Sequence, residues 1–100
     1  MRNFKTKVLT TEFEKKARLM KLAGEPARIR ILCVLLAEPG ACVSKIAEEL
    51  SMSVAAVSHH LQLMQAGGLV SAKRRGKQVC YNMPIGKNLK YLRQFICQKE

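Results

Sequence analysis

Proline and glycine divide this chain into short segments, and this division limits the folds that it can adopt. The three prolines and six glycines all fall at the ends of stretches whose apolar residues recur at helical or strand spacing. Pro26 opens the most apolar stretch, where its fixed φ suits the first turn of a helix. No segment approaches the roughly 18 continuous apolar residues that a membrane-spanning helix requires. The sequence therefore predicts several short helices in one small soluble domain.

The predicted order of elements is four helices, a β-hairpin and a closing helix. Thr11 and Glu14 have the spacing of a capping box, so the first helix is expected to begin at Thr11 and to end at Gly24. Further helices are predicted over about residues 26–38, 43–50, 54–66 and 88–98, with strands over 69–72 and 78–83. Residues 1–10 then form a basic tail, whose order the sequence leaves open, and residues 11–100 form the single domain.

The charge of the chain points to a polyanionic partner. Its 18 Lys and Arg outnumber seven acidic residues, which gives a net charge of +11. Nucleic acid is the first expectation and an acidic membrane surface the second. No acidic residue lies between Leu50 and Lys99. Aromatic residues make up only 5% of the chain, and single-strand binders need exposed aromatic rings for stacking, so double-stranded DNA is favoured over RNA.

The pattern around residues 43–66 is typical of a helix-turn-helix followed by a basic wing. Two short helices are joined by the polar connection Ser51–Ser53, and Ser53 is suited to cap the second helix. The hairpin tip over residues 73–77 is basic and suits contact with phosphates or a minor groove. Each part alone also fits a plain helix cap or a solvated turn, but their combination is specific. The predicted DNA-contacting residues are Ser53, Val54, Ala55, Ser58, His59, Gln62, Arg74, Arg75 and Lys77.

Four short motifs resemble the ArsR/SmtB family of bacterial winged-helix repressors across about residues 15–98. They are the stretches over residues 26–32, 57–61 and 66–70, and the Arg75–Lys77 tripeptide followed by Tyr81. The resemblance implies a cytoplasmic homodimer, with first and last helices at the interface, that binds imperfect inverted repeats and leaves the DNA when an inducer binds. Val54 and Ala55 stand where family members often carry Gln and Ser. This departure predicts apolar contacts to thymine methyl groups.

The sequence leaves the chemical identity of the inducer more open than the fold or the DNA-binding elements. No signal peptide is recognised, so the four cysteines are expected in a reducing compartment, where a structural disulfide is disfavoured. The family's site for zinc on the last helix is missing its His and Asp residues. Cys42 retains the first thiol of the family's Cys-Val-Cys motif for soft metals, whereas Ser44 replaces the second, so further ligands would have to come from Cys80 or a partner subunit. The simpler interpretations are a cap-like position for Cys42 and core packing for Cys80.

Cys33 and Cys97 are similar in placement to the two-cysteine thiol switches of the SqrR, BigR and HlyU kind. Those family members respond to persulfides or oxidants, so the resemblance implies such an inducer here. The competing interpretations are a small buried hydrophobe for Cys33 and an exposed thiol for Cys97. A DNA-binding regulator that senses nothing is a further alternative. The chain contains no Cys-x-x-Cys, phosphate-binding loop or carboxylate pair, so we expect neither an enzyme nor a cofactor.

Overall fold

The computed structural model describes residues 3–84 together with Gln94 and Ile96, and for residues 3–10 it describes the backbone alone. Within these residues the architecture is mainly α with one β-hairpin, a winged helix-turn-helix, as predicted. The predicted closing helix over residues 88–98 lies outside the described residues except for Gln94 and Ile96, both helical. The elements are α1 (Asn3–Ala23), α2 (Pro26–Ala37), α3 (Val43–Leu50), α4 (Val54–Ala66), β1 (Ser71–Arg75) and β2 (Gln78–Asn82).

Helix α1 begins at Asn3, eight residues before the predicted start at Thr11. The capping-box interpretation of Thr11 is therefore wrong. No proline or glycine precedes Gly24, so nothing in the sequence ends the helix on the N-terminal side of Thr11. Phe13 and Met20 are 59% and 68% exposed, which leaves apolar surface on α1 uncovered in the described part of the protomer.

The core lies between α2 and the two helices of the helix-turn-helix. Ile31 and Leu32 of α2, Ile46 of α3 and Leu61 and Met64 of α4 are each fully buried. Burying one such side chain contributes about 1.5–3 kcal/mol. This shared core fixes the position of α4 relative to the rest of the domain.

The connection between α3 and α4 is only three residues long, Ser51–Ser53, and its residues form hydrogen bonds to both helices. Ser51 adopts a left-handed conformation with φ 55° at the end of α3, and the Met52 amide donates to the Ala47 carbonyl at 3.0 Å. Ser53 Oγ then accepts from the Ala56 amide at 3.0 Å. The predicted cap at Ser53 is confirmed, and α3 and α4 have the predicted bounds.

The wing is an antiparallel hairpin whose strands run in register from Ser71–Asn82 to Arg75–Gln78. Gly76, with φ 62°, begins the two-residue turn and supplies the positive φ that such turns require. Strand β1 begins at Ser71, two residues later than predicted. Leu69 and Val70 are instead buried, at 8% and 3% exposed, because the chain packs into the core directly after α4. Consequently the basic residues Lys73, Arg74 and Arg75 lie on β1, and the predicted five-residue tip is wrong.

A short segment before α3 pairs with the other edge of β2. The Gly40 amide donates to the Tyr81 carbonyl at 3.1 Å, and the Tyr81 amide donates to the Ala41 carbonyl at 2.9 Å. Cys42 and Cys80 lie opposite each other across this antiparallel bridge, and their sulfurs form a disulfide. The expectation that a structural disulfide is disfavoured is therefore wrong for this pair. The two residues are 38 positions apart, so their pairing depends on the tertiary fold.

Candidate DNA-binding surface

Helix α4 presents its polar residues on one side and its core residues on the other. Ser53, Ala55, His59 and Gln62 are exposed, as is Val54 with 53% of its surface. Ser58 is half-buried and accepts a hydrogen bond from Gln62 Nε2 at 3.3 Å. The spacing of these residues along a 3.6-residue repeat places them on one face. The structure thus brings together the six residues predicted to contact DNA from this helix.

His60 differs from its neighbour because it turns toward α2. Its Nδ1 accepts a hydrogen bond from Arg28 Nε at 3.1 Å. Arg28 also donates to the Leu22 carbonyl at 3.0 Å and lies 3.7 Å from the Glu25 carboxylate. His60 therefore lies on α4 beside the exposed His59, but it is half-buried and bonded to Arg28 rather than turned to solvent. The Arg28 side chain instead links the end of α1 to α4 and orients the recognition helix.

The wing carries a concentrated positive charge. Lys73, Arg74, Arg75 and Lys77 are exposed, and they are the only Lys or Arg residues between Leu50 and Pro84. The two ion pairs formed among the described residues, Arg28–Glu25 and Lys45–Glu49, involve no wing residue. The charge of the wing is therefore not neutralised within the described part of the protomer and can attract phosphate groups.

The cysteines fall in two places in the fold. Cys42 and Cys80 are joined in the disulfide, and the predicted burial of Cys80 is confirmed at 1% exposed. Cys33 is half-buried on α2, and its Sγ donates to the Ile96 carbonyl at 3.7 Å. Cys97 lies outside the described residues. Over residues 3–84, 94 and 96, no group of three His, Cys, Asp or Glu residues is arranged to hold a metal ion.

Comparison with known proteins identifies the family to which this chain belongs. Residues 25–72 match the family model described as "Bacterial regulatory protein, arsR family". The chain is 32% identical over 88 residues to the cadmium resistance transcriptional regulatory protein CadC of Listeria innocua. The alignment covers 88% of this chain and 71% of that protein.

None of the helices in the described ranges combines the length and hydropathy needed to cross a membrane.

Two solved structures share the fold over most of the chain. Reduced HlyU from Vibrio cholerae superposes with a TM-score of 0.77 at 26% identity, covering 90% of this chain and 97% of that one. The homodimeric winged helix-turn-helix DNA-binding domain Mb0332 from Mycobacterium bovis has a TM-score of 0.71 at 30% identity and covers 87% and 79%. These relatives are regulators rather than enzymes. The chain belongs to the ArsR family and is a DNA-binding transcriptional repressor.

Proposed function

We propose that this chain binds an imperfect inverted repeat in double-stranded DNA, with α4 in the major groove. Ser58, His59 and Gln62 carry hydroxyl, imidazole and amide groups that can hydrogen-bond to base edges. Val54 and Ala55 offer apolar contact to thymine methyl groups, for which the 53% exposure of Val54 leaves room. In such a complex α4 reads the sequence.

The wing supplies contacts that hold the protein on DNA without reading bases. Arg74, Arg75 and Lys77 are exposed side chains with no acidic neighbour in their strand or turn, so they can reach phosphates or enter a minor groove. Ser53 caps α4, and the N-terminus of that helix is a suitable position for an approaching phosphate. The wing and the start of α4 therefore position the recognition helix.

The binding unit in this proposal is a homodimer. Phe13 and Met20 leave apolar surface exposed on α1, and a second copy of the chain would cover it. The homodimeric state of the similar Mycobacterium bovis domain is consistent with this assembly. Two copies would present paired α4 helices to major grooves about one helical turn apart. We expect the dimer to act in the cytoplasm.

DNA binding is tested by selecting duplexes from a random-sequence pool with the full chain. We expect an inverted repeat whose half-sites are centred about 10–10.5 base pairs apart. Ser58→Ala and His59→Ala should weaken binding to the selected duplex, by about 1–3 kcal/mol per lost base contact. Ser44→Ala, on the exposed side of α3, is the matched control. Selection of no common sequence would contradict the proposed base readout.

The inducer in this proposal acts on the thiols of Cys33 and Cys97. One observation carries this assignment: Cys33 Sγ lies 3.7 Å from the Ile96 carbonyl oxygen. The carbonyl carbon of Ile96 is bonded directly to the amide of Cys97, so the second thiol belongs to the neighbouring residue of the chain. The likeness to reduced HlyU supports a thiol-based mechanism.

Thiol chemistry of this kind proceeds in two balanced steps. The Cys33 thiolate takes a sulfur atom from a persulfide, which releases the parent thiol and leaves a persulfide on Cys33. The Cys97 thiol then attacks Cys33 Sγ, which expels hydrogen sulfide and forms a disulfide. With hydrogen peroxide, the two steps instead pass through a sulfenic acid on Cys33 and release water in each. A link between α2 and the region of Cys97 would couple the modification to the dimer and its recognition helices.

Peptide mass spectrometry of the reduced protein after brief treatment with an organic polysulfide tests this switch. We expect a cross-link between Cys33 and Cys97, with or without added sulfur atoms, that is absent from Cys33→Ser and Cys97→Ser. The cross-link should persist in the control variant Cys42→Ser. Reaction of all four thiols without this cross-link would refute the pair.

A soft-metal inducer is the second candidate, because CadC of Listeria innocua is a similar protein and because Cys42 and Cys80 are adjacent. Once reduced, these two sulfurs are suitable ligands for a soft ion. Cadmium titration separates the candidates. Binding that survives Cys33→Ser but not Cys42→Ser would favour the metal. DNA binding that responds to neither thiol reagents nor cadmium would indicate a regulator without an inducer.

A further inference from the structure

We propose that Cys42 and Cys80 form a second, reversible thiol–disulfide site, which tethers the wing to the helix-turn-helix. This site is separate from the Cys33–Cys97 pair, since it joins different elements. Cys42 is the residue before α3, and Cys80 lies in the middle of β2. Oxidation of the pair therefore connects the first helix of the helix-turn-helix to the wing by a covalent bond.

The backbone holds the two cysteines together whether or not the sulfurs are bonded. The hydrogen bonds of Tyr81 with Gly40 and Ala41 lie directly beside the bridge between Cys42 and Cys80. Cys42 makes no side-chain capping bond to α3, so its sulfur has no competing role at the helix terminus. Reduction would thus leave the thiols adjacent, and the bond can form again without refolding.

The two sulfurs differ in access, and this difference assigns their order of reaction. Cys42 is half-buried, whereas Cys80 is 1% exposed. A dissolved disulfide therefore reaches Cys42 first. The register places Lys73 directly opposite Cys80 on β1, and cross-strand neighbours share a face of the hairpin. Lys73 and the net charge of +11 favour an anionic disulfide, such as oxidised glutathione, as the oxidant.

The reaction is thiol–disulfide exchange in two steps. The Cys42 thiolate attacks one sulfur of oxidised glutathione, releases one glutathione thiolate and forms a mixed disulfide. The Cys80 thiolate then attacks Cys42 Sγ and displaces the second glutathione. Two protein thiols are oxidised and one glutathione disulfide is reduced to two thiols, whose protons come from the protein thiols. Excess reduced glutathione reverses both steps.

The wing itself reports on the tether. Its four exposed basic residues are trypsin sites, and cleavage of a hairpin requires local opening. In the disulfide form, β2 is bonded to the residue before α3 and opens less often. We expect trypsin to cleave the wing about tenfold faster after reduction. Cleavage at Lys15 and Lys16, exposed on α1, provides an internal control and should not change.

The experiment uses the full chain with Cys33→Ser and Cys97→Ser, so that only the second pair can react. After reduction, incubation with oxidised glutathione should remove the mass of two hydrogen atoms, and reduced glutathione should restore it. Cys80→Ala in this background should retain one glutathione on Cys42, whereas Cys42→Ala should leave Cys80 unmodified. The wing should become resistant to trypsin only in the oxidised chain.

Three results would overturn the site. Glutathione on Cys80 of the Cys42→Ala chain would contradict the order of reaction. A pair that stays reduced in oxidised glutathione would refute the reversible disulfide. Equal cleavage of the wing in both redox forms would refute the tether. Because these measurements use no DNA and no Cys33 or Cys97 thiol, they can fail while the proposed DNA binding and inducer switch stand.

Discussion

Removing two charges from the wing should change the salt dependence of DNA binding by a calculable amount. In Arg74→Gln/Arg75→Gln, each protomer loses two exposed guanidinium groups that have no acidic partner among the described residues. A dimer then loses four phosphate contacts. Each contact contributes about 0.9 to the slope of log affinity against log salt, so the slope should become shallower by about 3.6. Between 50 and 200 mM salt, the variant should lose roughly 150-fold less affinity than the original chain.

Fluorescence anisotropy with a labelled duplex, repeated over a series of salt concentrations, measures this slope. The matched control is Arg18→Gln/Arg30→Gln, which removes the same charge from exposed positions on α1 and α2. Long-range attraction depends on total charge, whereas contact with phosphates depends on position. An unchanged slope in the wing variant would refute contact between the wing and the DNA backbone. An equal change in both variants would reduce the role of the wing to its contribution to net charge.

Three further substitutions test the packing that supports this surface. Ser53→Ala removes the acceptor for the Ala56 amide and should lower the free energy of unfolding by about 1 kcal/mol in urea denaturation. Gly67→Ala places a methyl group against the Leu22 side chain and should cost about 1–3 kcal/mol, a loss that Leu22→Ala in the same chain should partly relieve. Burial raises the pKa of Tyr81 above 10.0, so its contribution to stability is complete below pH 10.0 and is lost as the pH rises through the folded-state pKa. Thermal unfolding of Tyr81→Phe should consequently show a smaller alkaline loss of stability than that of the original chain.

Ser44→Ala, which changes an exposed serine within α3, should cause no comparable loss, and an equal loss would remove the special role of the Ser53 cap. If Leu22→Ala adds its full cost to that of Gly67→Ala, then the two side chains do not compete for space. Identical alkaline unfolding of Tyr81→Phe and the original chain would contradict the stated direction for Tyr81.

The sequence was most informative where local chemistry determines structure. The bounds of α3 and α4 follow from the polar connection that ends at Ser53, so they match the prediction. The wing was misplaced by two residues because Leu69 and Val70 have strand-like composition but are buried beside α4. A local pattern does not distinguish an apolar residue in a strand from one that closes a core.

The remaining differences arise from contacts between distant residues. From the sequence alone, His60 is hard to distinguish from an exposed residue of the recognition helix, because its partner Arg28 is 32 positions away. Its position three residues after the buried Val57 is the one signal in the sequence that it lies at the edge of the core face. Likewise, nothing near Cys42 in the chain indicates that Cys80 will lie opposite.

The bridge between Cys42 and Cys80 also determines the order in which parts of the domain can fold during translation. Helices α3 and α4 are made before the strand that pairs with the residues in front of them, since 38 positions separate Cys42 from Cys80. At about 5–20 residues per second, a ribosome needs roughly 2–8 s to add that stretch. Helices form in about a microsecond. Only 15 residues separate Ala66, the last residue of α4, from Tyr81, so a nascent chain carries its completed reading helix for about 1–3 s before the wing can close beside it. Tyr81 is the residue whose emergence completes the hydrogen bonds of that closure.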